Sequence, residues 1–152
     1  LMIKNNEPQL IEFSVRMGDP ECQVILPRLK TDLVKIINNS INDKLKKTQI
    51  KWNKEKSMTI VLCSKGYPGS YKINKNIVGL KKLRLNKNSY IYHAGTKLIG
   101  EKILSSGGRV LNFTSTGGNF LNIRKKILKL ISELNWKNGF FRKDIGWKII
   151  KK

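Results

Sequence analysis

The chain has 152 residues, a formal net charge of +21 and an apolar fraction of 39%, which allows a packed core and argues against disorder throughout. It contains no apolar run long enough to cross a bilayer, and its first residues lack the features of a signal peptide. Two cysteines, Cys22 and Cys63, are too few for a disulfide framework or a zinc site, so we expect free thiols in the cytoplasm.

The first predicted element is a β-hairpin with strands at residues 1–4 and 9–16. In an extended strand, Glu12, Ser14 and Arg16 point to one side. Half-buried strands also alternate polar and apolar residues for structural reasons alone. An acid and an arginine in this pattern nevertheless suit a metal ion and an anion. The sequence therefore predicts a candidate site on one face of this strand.

Two short helices are predicted next. A Gly-Asp-Pro-Glu turn begins the first, with Asp19 as the cap and Pro20 at the first helical position. The second begins at a cap on Thr31 or Asp32 and continues to about Ile41, because apolar residues recur there at helical spacing.

A polar, charged segment at residues 42–57 separates this region from the remainder of the chain. It predicts a boundary between a domain at 1–54 and a domain at 55–152. We expect the second domain to be a small antiparallel sheet or barrel-like structure with one amphipathic helix from a cap at Asn119 to about Leu134. Its predicted strands lie at 58–63, 77–80, 89–93, 101–104 and 109–114.

Chemistry-bearing residues are sparse in the second domain. The loop at 64–69, Ser-Lys-Gly-Tyr-Pro-Gly, has the composition of a turn, and its backbone amides and Lys65 could also cradle a phosphate, although the spacing is not that of a Walker loop. His93 is the single histidine, and a histidine without a partner is more often a structural hydrogen-bonding group than a catalytic base.

Six segments occur in an order that resembles one family. They are Ile-Glu-Phe-Ser-Val-Arg-Met-Gly-Asp-Pro-Glu at 11–21, Leu-Pro-Arg-Leu at 26–29, Ser-Lys-Gly-Tyr-Pro-Gly-Ser-Tyr at 64–71, His-Ala-Gly-Thr-Lys at 93–97, Gly-Gly-Arg-Val-Leu-Asn at 107–112 and Phe-Arg-Lys-Asp-Ile-Gly-Trp at 141–147. The ordered set is similar to phosphoribosylamine–glycine ligases, also called glycinamide ribonucleotide synthetases.

The resemblance implies an α+β architecture, in which the end of an ATP-grasp domain is followed by the carboxy-terminal domain of the family. It implies an ATP-dependent ligase that joins glycine to 5-phosphoribosylamine through glycyl phosphate in purine biosynthesis, with ATP as substrate and Mg²⁺ or Mn²⁺ as cofactor. Family chains are longer, so we expect the missing amino-terminal part of the same enzyme as a partner. Without that part we expect the fragment to be inactive.

The resemblance also assigns roles to individual residues. Glu12 matches a metal-binding glutamate, whereas Ser14 stands where the family has asparagine and offers the metal a shorter, neutral oxygen. Arg16 matches an arginine that we expect to neutralise charge on the acyl phosphate, and it is the catalytic candidate. The substrate-binding candidates are Asp19, Glu21 and Lys65.

The high positive charge supports an alternative, a basic nucleic-acid-binding module. Such a site would favour arginine and would concentrate its cations on one face, whereas lysine dominates here and is scattered along the chain. Lysine, asparagine and isoleucine share A/T-rich codons, so composition alone accounts for the charge. We therefore expect neither a nucleic acid nor a membrane as a partner.

Overall fold

The structure, a computed structural model, describes residues 2–150. The architecture is mixed, with antiparallel sheets and short helices. In chain order the elements are β1 (Met2–Lys4), β2 (Glu7–Gln9), α1 (Glu21–Ile25), α2 (Leu33–Ile41), β3 (Lys56–Ser64), β4 (Ser89–His93), β5 (Thr96–Ile99), β6 (Lys102–Ser105), β7 (Arg109–Gly117), α3 (Phe120–Leu134), β8 (Gly139–Phe140) and α4 (Trp147–Ile150).

The central sheet has four antiparallel strands in the order β4–β7–β3–β8. Strands β3 and β7 are nine residues each and pair from Lys56 opposite Gly117 to Cys63 opposite Arg109, with a register shift just before Cys63. β1–β2 and β5–β6 form two separate two-stranded sheets. The sheet is open, with β4 and β8 at its edges, so the predicted antiparallel sheet is confirmed but it does not close into a barrel.

The hydrophobic core lies between this sheet and α3. Because alternate strand residues face opposite sides, Ile60 on β3 and Phe113 on β7 share the face that packs on α3, and both are almost completely buried. Asn119 caps α3, as predicted, by accepting a hydrogen bond from the Asn122 amide at 3.1 Å. The buried residues of α3 are Ile123, Ile127, Leu130, Ile131 and Leu134.

The region before β3 contributes no fully buried residue from its helices. Asp32 caps α2 by accepting from the Lys35 amide at 2.8 Å, as predicted. Trp52 pairs with Leu29 through an isolated β-bridge and remains about half exposed. No helix within residues 2–150 is long and apolar enough to span a membrane. The domain boundary near residue 55 stays a prediction.

The predicted strand at 9–16 is wrong beyond Gln9. β2 ends there, and residues 10–16 continue without a partner strand. Phe13 is 88% exposed and Val15 is fully exposed. Apolar alternation predicts a strand only where a neighbouring strand and a covering layer exist, and the described residues supply neither for this segment.

Two further differences concern the second half of the chain. The predicted strand at 77–80 is wrong, because Ile77 is a buried loop residue and Leu80–Lys82 form a 3₁₀ turn. Strand β5 was not predicted. It pairs with β6 through a tight turn in which Gly100 has a φ of +56°, a conformation that glycine adopts readily.

Candidate functional site

The segment that carries the predicted metal and catalytic residues is solvent-exposed. Glu12, Ser14 and Arg16 are all exposed, and the Arg16 guanidinium donates a hydrogen bond to the Met17 carbonyl at 3.0 Å. Residues 2–150 contain no group of three or more His, Cys, Asp or Glu side chains placed to hold a metal ion. The two oxygen-bearing candidates, Glu12 and Ser14, therefore form at most part of a metal site.

Asp19 occupies a different position from the one that the sequence predicted. The residue at the helix cap is Pro20, and it makes no side-chain capping bond. Helix α1 begins at Glu21, whose Oε2 accepts from the Gly18 amide at 3.1 Å. The prediction that Asp19 caps the helix is wrong, because its carboxylate is engaged by side chains from α1 and β7 instead.

Four polar residues meet around this carboxylate, and we call them the Asp19 junction: Asp19, Gln23, Arg109 and Asn112. Arg109 donates from Nη1 to the Asp19 carbonyl at 2.5 Å, and its Nε lies 3.5 Å from Asp19 Oδ2. Gln23 Nε2 donates to Asp19 Oδ1 at 2.9 Å, and Asn112 Nδ2 does so at 3.5 Å. The junction thus joins residues about ninety positions apart in the chain.

The junction lies on the face of the central sheet opposite α3. Asn112 follows Leu111 and precedes Phe113 on β7, and Phe113 faces the α3 core. Alternation along the strand then places the Asn112 side chain on the other face. Helix α1 and the turn before it are packed there, against the β3–β7 pair.

Two carbonyl oxygens at the junction are buried without a hydrogen-bond partner among the described residues: Gln23 Oε1 and Asn112 Oδ1. Both amide groups donate to the Asp19 carboxylate, which fixes which end of each amide faces it. Their oxygens must point elsewhere. The Asp19 carboxylate thus orients both amide groups.

Several loops converge at the same end of the sheet. Ser64 binds the loop between β6 and β7: its amide donates to the Gly108 carbonyl at 2.7 Å and its hydroxyl donates to the Gly107 carbonyl at 2.8 Å. The Gly95 amide donates to the Arg109 carbonyl at 2.8 Å. A Cβ on Gly95 would lie 2.6 Å from that carbonyl oxygen, so only glycine permits the approach. Four of the segments in the family-like order therefore meet here.

Burial raises the pKa of the Cys63 thiol, which lies beside the junction; the positive charge of Arg109 partly offsets this shift and the Asp19 carboxylate adds to it. Burial also raises the pKa of Tyr92 on β4, with smaller contributions from Tyr90 and Cys22. Tyr92 on β4 thus lies close enough to Cys22 on α1 for their charges to interact.

The raised pKa of Cys63 predicts that its thiol reacts slowly with alkylating reagents. At pH 8 we expect iodoacetamide to modify Cys63 at least about tenfold more slowly in the folded chain than in urea, because less thiolate forms and the reagent is excluded. The measurement uses mass spectrometry on a Cys22→Ser variant, so that only Cys63 reacts. Equal rates in the folded and unfolded chain would contradict the assigned environment.

Lys65 lies in the loop after β3, next to Ser64. Its amide donates to the Asn138 carbonyl at 2.8 Å. Its side chain helps to line a cavity of about 460 Å³. The cavity residues are Lys65, Ser70, Tyr71, Lys72, Lys75 and Asn138. Three lysines and no carboxylate make it a basic cavity, in keeping with the predicted anion-binding role.

Sequence reasoning missed Arg109, Asn112 and Gln23 as site residues. Arg109 and Asn112 belong to the family-like segment at 107–112, but the resemblance assigned no role to either residue. The signal that could have identified Arg109 is its position at the start of a strand, directly after two glycines. Contact with Asp19 depends on the register of β7 and could not be predicted from spacing.

Comparison with known proteins identifies the chain. Residues 57–148 match the family "Phosphoribosylglycinamide synthetase, C domain". The chain is 43% identical over 150 residues to the phosphoribosylamine–glycine ligase of Agrobacterium fabrum, which covers 99% of this chain and 35% of the relative. It is 39% identical to the chloroplastic phosphoribosylamine–glycine ligase of Arabidopsis thaliana, over 97% of this chain and 28% of the relative.

The fold comparison agrees. The crystal structure of phosphoribosylamine–glycine ligase from Thermotoga maritima matches with a TM-score of 0.68 at 25% sequence identity, and the match covers 94% of this chain and 34% of that chain. The chain spans about a third of the length of the bacterial relatives. The protein belongs to the phosphoribosylglycinamide synthetase family, whose C domain accounts for residues 57–148.

Proposed function

We propose that this chain is the carboxy-terminal portion of an ATP-dependent ligase that joins glycine to 5-phosphoribosylamine to give glycinamide ribonucleotide in purine biosynthesis. The supporting observation is similarity along almost the whole chain to relatives named phosphoribosylamine–glycine ligase, at 43% identity for the Agrobacterium protein. Residues 1–54 are proposed as the end of an ATP-grasp domain. The missing amino-terminal part of the enzyme is the proposed partner.

The proposed reaction has two steps. A glycine carboxylate oxygen attacks the γ-phosphorus of ATP, so that ADP leaves and glycyl phosphate forms. The amine of 5-phosphoribosylamine then attacks the glycyl carbonyl, the C–O bond to phosphate breaks, and the amine loses a proton. The products are glycinamide ribonucleotide, ADP and phosphate.

Glu12 and Ser14 are the proposed metal-binding residues. Their carboxylate and hydroxyl oxygens are hard donors of the type that Mg²⁺ and Mn²⁺ prefer, and both side chains are exposed. Mg²⁺ in phosphoryl-transfer sites uses one or two protein oxygens and completes its coordination with phosphates and water. The two residues fit that partial role, in which the metal would neutralise phosphate charge.

Arg16 is the proposed catalytic residue. Its guanidinium is exposed and is held by one hydrogen bond to the neighbouring Met17 carbonyl, so most of its donors remain available. A planar group with several N–H donors suits the oxygens of an acyl phosphate and stabilises negative charge that develops on them. Asp19 and Glu21 are proposed to act near the amine substrate, at the turn that follows.

The exposed apolar residues before this turn support the proposed partner. Leu10, Ile11, Phe13, Val15 and Met17 are all substantially exposed in consecutive or alternating positions. A contiguous apolar stretch of this kind is unusual on a complete surface and marks an interaction site. We propose that the preceding part of the ligase packs on these apolar residues, because the chain corresponds to only 35% of the Agrobacterium relative.

The nucleic-acid-binding alternative is not supported. The relatives that match along nearly the whole chain carry ligase names, including the Arabidopsis protein. We therefore attribute the net charge of +21 to lysine-rich composition.

The proposal is tested by measuring ADP release from the ligase that contains this chain and its amino-terminal part. We expect ADP release to require glycine and 5-phosphoribosylamine together with Mg²⁺ or Mn²⁺. We expect no turnover from residues 1–152 alone. ADP release that is independent of glycine, or a different amine acceptor of equal efficiency, would contradict the proposed function.

A second expected result concerns Lys65 and its basic cavity. A hydrogen bond to a charged group contributes about 1.5–3 kcal/mol, so Lys65→Ala is expected to raise KM for 5-phosphoribosylamine about tenfold or more. KM for glycine should be unchanged, since glycine carries no phosphate. Lys125→Ala, which removes an exposed lysine from α3, is the matched control. Equal effects of the two substitutions on KM for 5-phosphoribosylamine would contradict a substrate-binding role for Lys65.

A further inference from the structure

The strongest unassigned feature is the Asp19 junction, because it connects the sheet of the C domain to the turn that follows the metal-binding candidates. We propose that Arg109 is a positioning residue: it fixes the turn at Gly18–Glu21 and thereby the direction of the segment that carries Glu12 and Arg16. This inference rests on the proposed function and extends it to a residue of the C domain.

The geometry of Arg109 supports this role. One guanidinium contacts both the backbone carbonyl of Asp19, at 2.5 Å, and the carboxylate of the same residue, at 3.5 Å. Holding main chain and side chain together restrains the peptide as well as the carboxylate. Arginine suits such a two-point contact because its N–H donors are fixed in one plane, whereas lysine has a single ammonium group.

Few other contacts restrain this turn. The Cys22 amide donates to the Gly18 carbonyl at 2.9 Å, and the Gly18 amide donates to Glu21 Oε2 at 3.1 Å. Both bonds lie between residues 18 and 22, so neither ties the turn to the sheet, and local opening of the turn breaks both. Helix α1 has five residues and none is fully buried. Helix α1 packs against β3 and β7, and the Asp19 junction adds the hydrogen bonds and the ion pair that tie the turn itself to β7.

The same contacts contribute little to global stability. The side chains of Arg109 and Asp19 are 43% and 34% exposed, and exposed ion pairs typically contribute only about 0–1 kcal/mol. A junction of partly exposed polar side chains is explained better by orientation of a functional segment than by stabilisation of the fold.

The first test uses the chain itself and hydrogen exchange measured by NMR. We expect Arg109→Gln to accelerate exchange of the Cys22 amide about tenfold or more, while amides of the β3–β7 pair such as Phe113 keep their rates. Arg142→Gln is the matched control, because Arg142 pairs with Asp144 at 2.6 Å on the surface; it should leave the Cys22 amide unchanged.

Two results would overturn the inference. One is an unchanged Cys22 amide in Arg109→Gln. The other is acceleration of all amides together, which would show a structural role only. If Arg109→Gln does not fold, Arg109→Lys serves as the variant, since it retains the charge and loses the fork; the same comparison of Cys22 with the β3–β7 amides decides the outcome.

The second test uses the whole ligase. Arg109→Gln is expected to lower kcat for ADP release about 10- to 100-fold, since small displacements of catalytic groups reduce rates by such factors, with the melting temperature close to that of the unsubstituted enzyme. Arg109→Lys should recover part of kcat, and Arg142→Gln should change neither property. An unchanged kcat in Arg109→Gln overturns the inference while the proposed function stands. If the unsubstituted enzyme has no ligase activity, the proposed function is refuted. The hydrogen-exchange experiment then still shows whether Arg109 holds the turn at Gly18–Glu21.

Discussion

Replacement of Phe113 by alanine is expected to destabilise the chain by about 3–5 kcal/mol, the range observed for buried phenylalanine. Phe113 is fully buried at the centre of β7, opposite Ile60 on β3 and Ile91 on β4. Its ring lies in the core shared with α3, so truncation removes apolar burial and leaves a cavity in the part of the sheet that both neighbouring strands contact. A loss of this size is comparable with the total stability of a small domain.

Phe13→Ala is the matched control, because it makes the same chemical change at a residue that is 88% exposed. In this chain we expect it to alter stability by no more than about 0.5 kcal/mol. Urea denaturation followed by tryptophan fluorescence measures both variants. A Phe113→Ala chain as stable as the Phe13→Ala chain would show that the sheet and α3 do not pack as described.

The second large effect is on catalysis. In the whole ligase, Glu12→Gln is expected to lower kcat at least about 100-fold, or about 2.7 kcal/mol in activation free energy. The substitution keeps the shape of the side chain and removes the negative charge that a divalent cation prefers. It should also raise the Mn²⁺ concentration that gives half-maximal activity, because metal binding is weakened before chemistry begins.

Glu7→Gln provides the control for this substitution. Glu7 is an exposed glutamate on β2, five residues before Glu12 in the same amino-terminal segment. It should leave kcat and the Mn²⁺ requirement unchanged, which excludes a general effect of reduced negative charge. A Glu12→Gln enzyme with full rate would refute the metal assignment of Glu12.

Local patterns predicted the second half of the fold well. Helix α3 follows from a capping asparagine and an apolar stripe at helical spacing, and both features act within a few residues of each other. Strands β3, β4 and β7 follow from β-rich runs bounded by turn residues. Ile77 was placed in a strand because its apolar character is the same whether burial occurs in a strand or in a loop.

The candidate site was predicted less completely, for two physical reasons. The segment at 10–16 has the alternation of a strand, but strand formation depends on a partner that these residues cannot supply. The Asp19 junction depends on side chains from α1 and β7, and contacts across about ninety positions are fixed by register and packing. Family resemblance indicated which segments matter, whereas only the structure shows that Arg109 and Asp19 meet.

The most direct test of this account is the position of Mn²⁺ in crystals of the whole ligase grown with a non-hydrolysable ATP analogue. We expect an anomalous Mn²⁺ peak about 2.1 Å from a Glu12 carboxylate oxygen, a distance close to that of Mg²⁺ from its oxygen ligands, with the Arg16 guanidinium facing the same cleft. A Mn²⁺ ion bound elsewhere, or Glu12 and Arg16 side chains that point to opposite sides of the segment at 10–16, would contradict it.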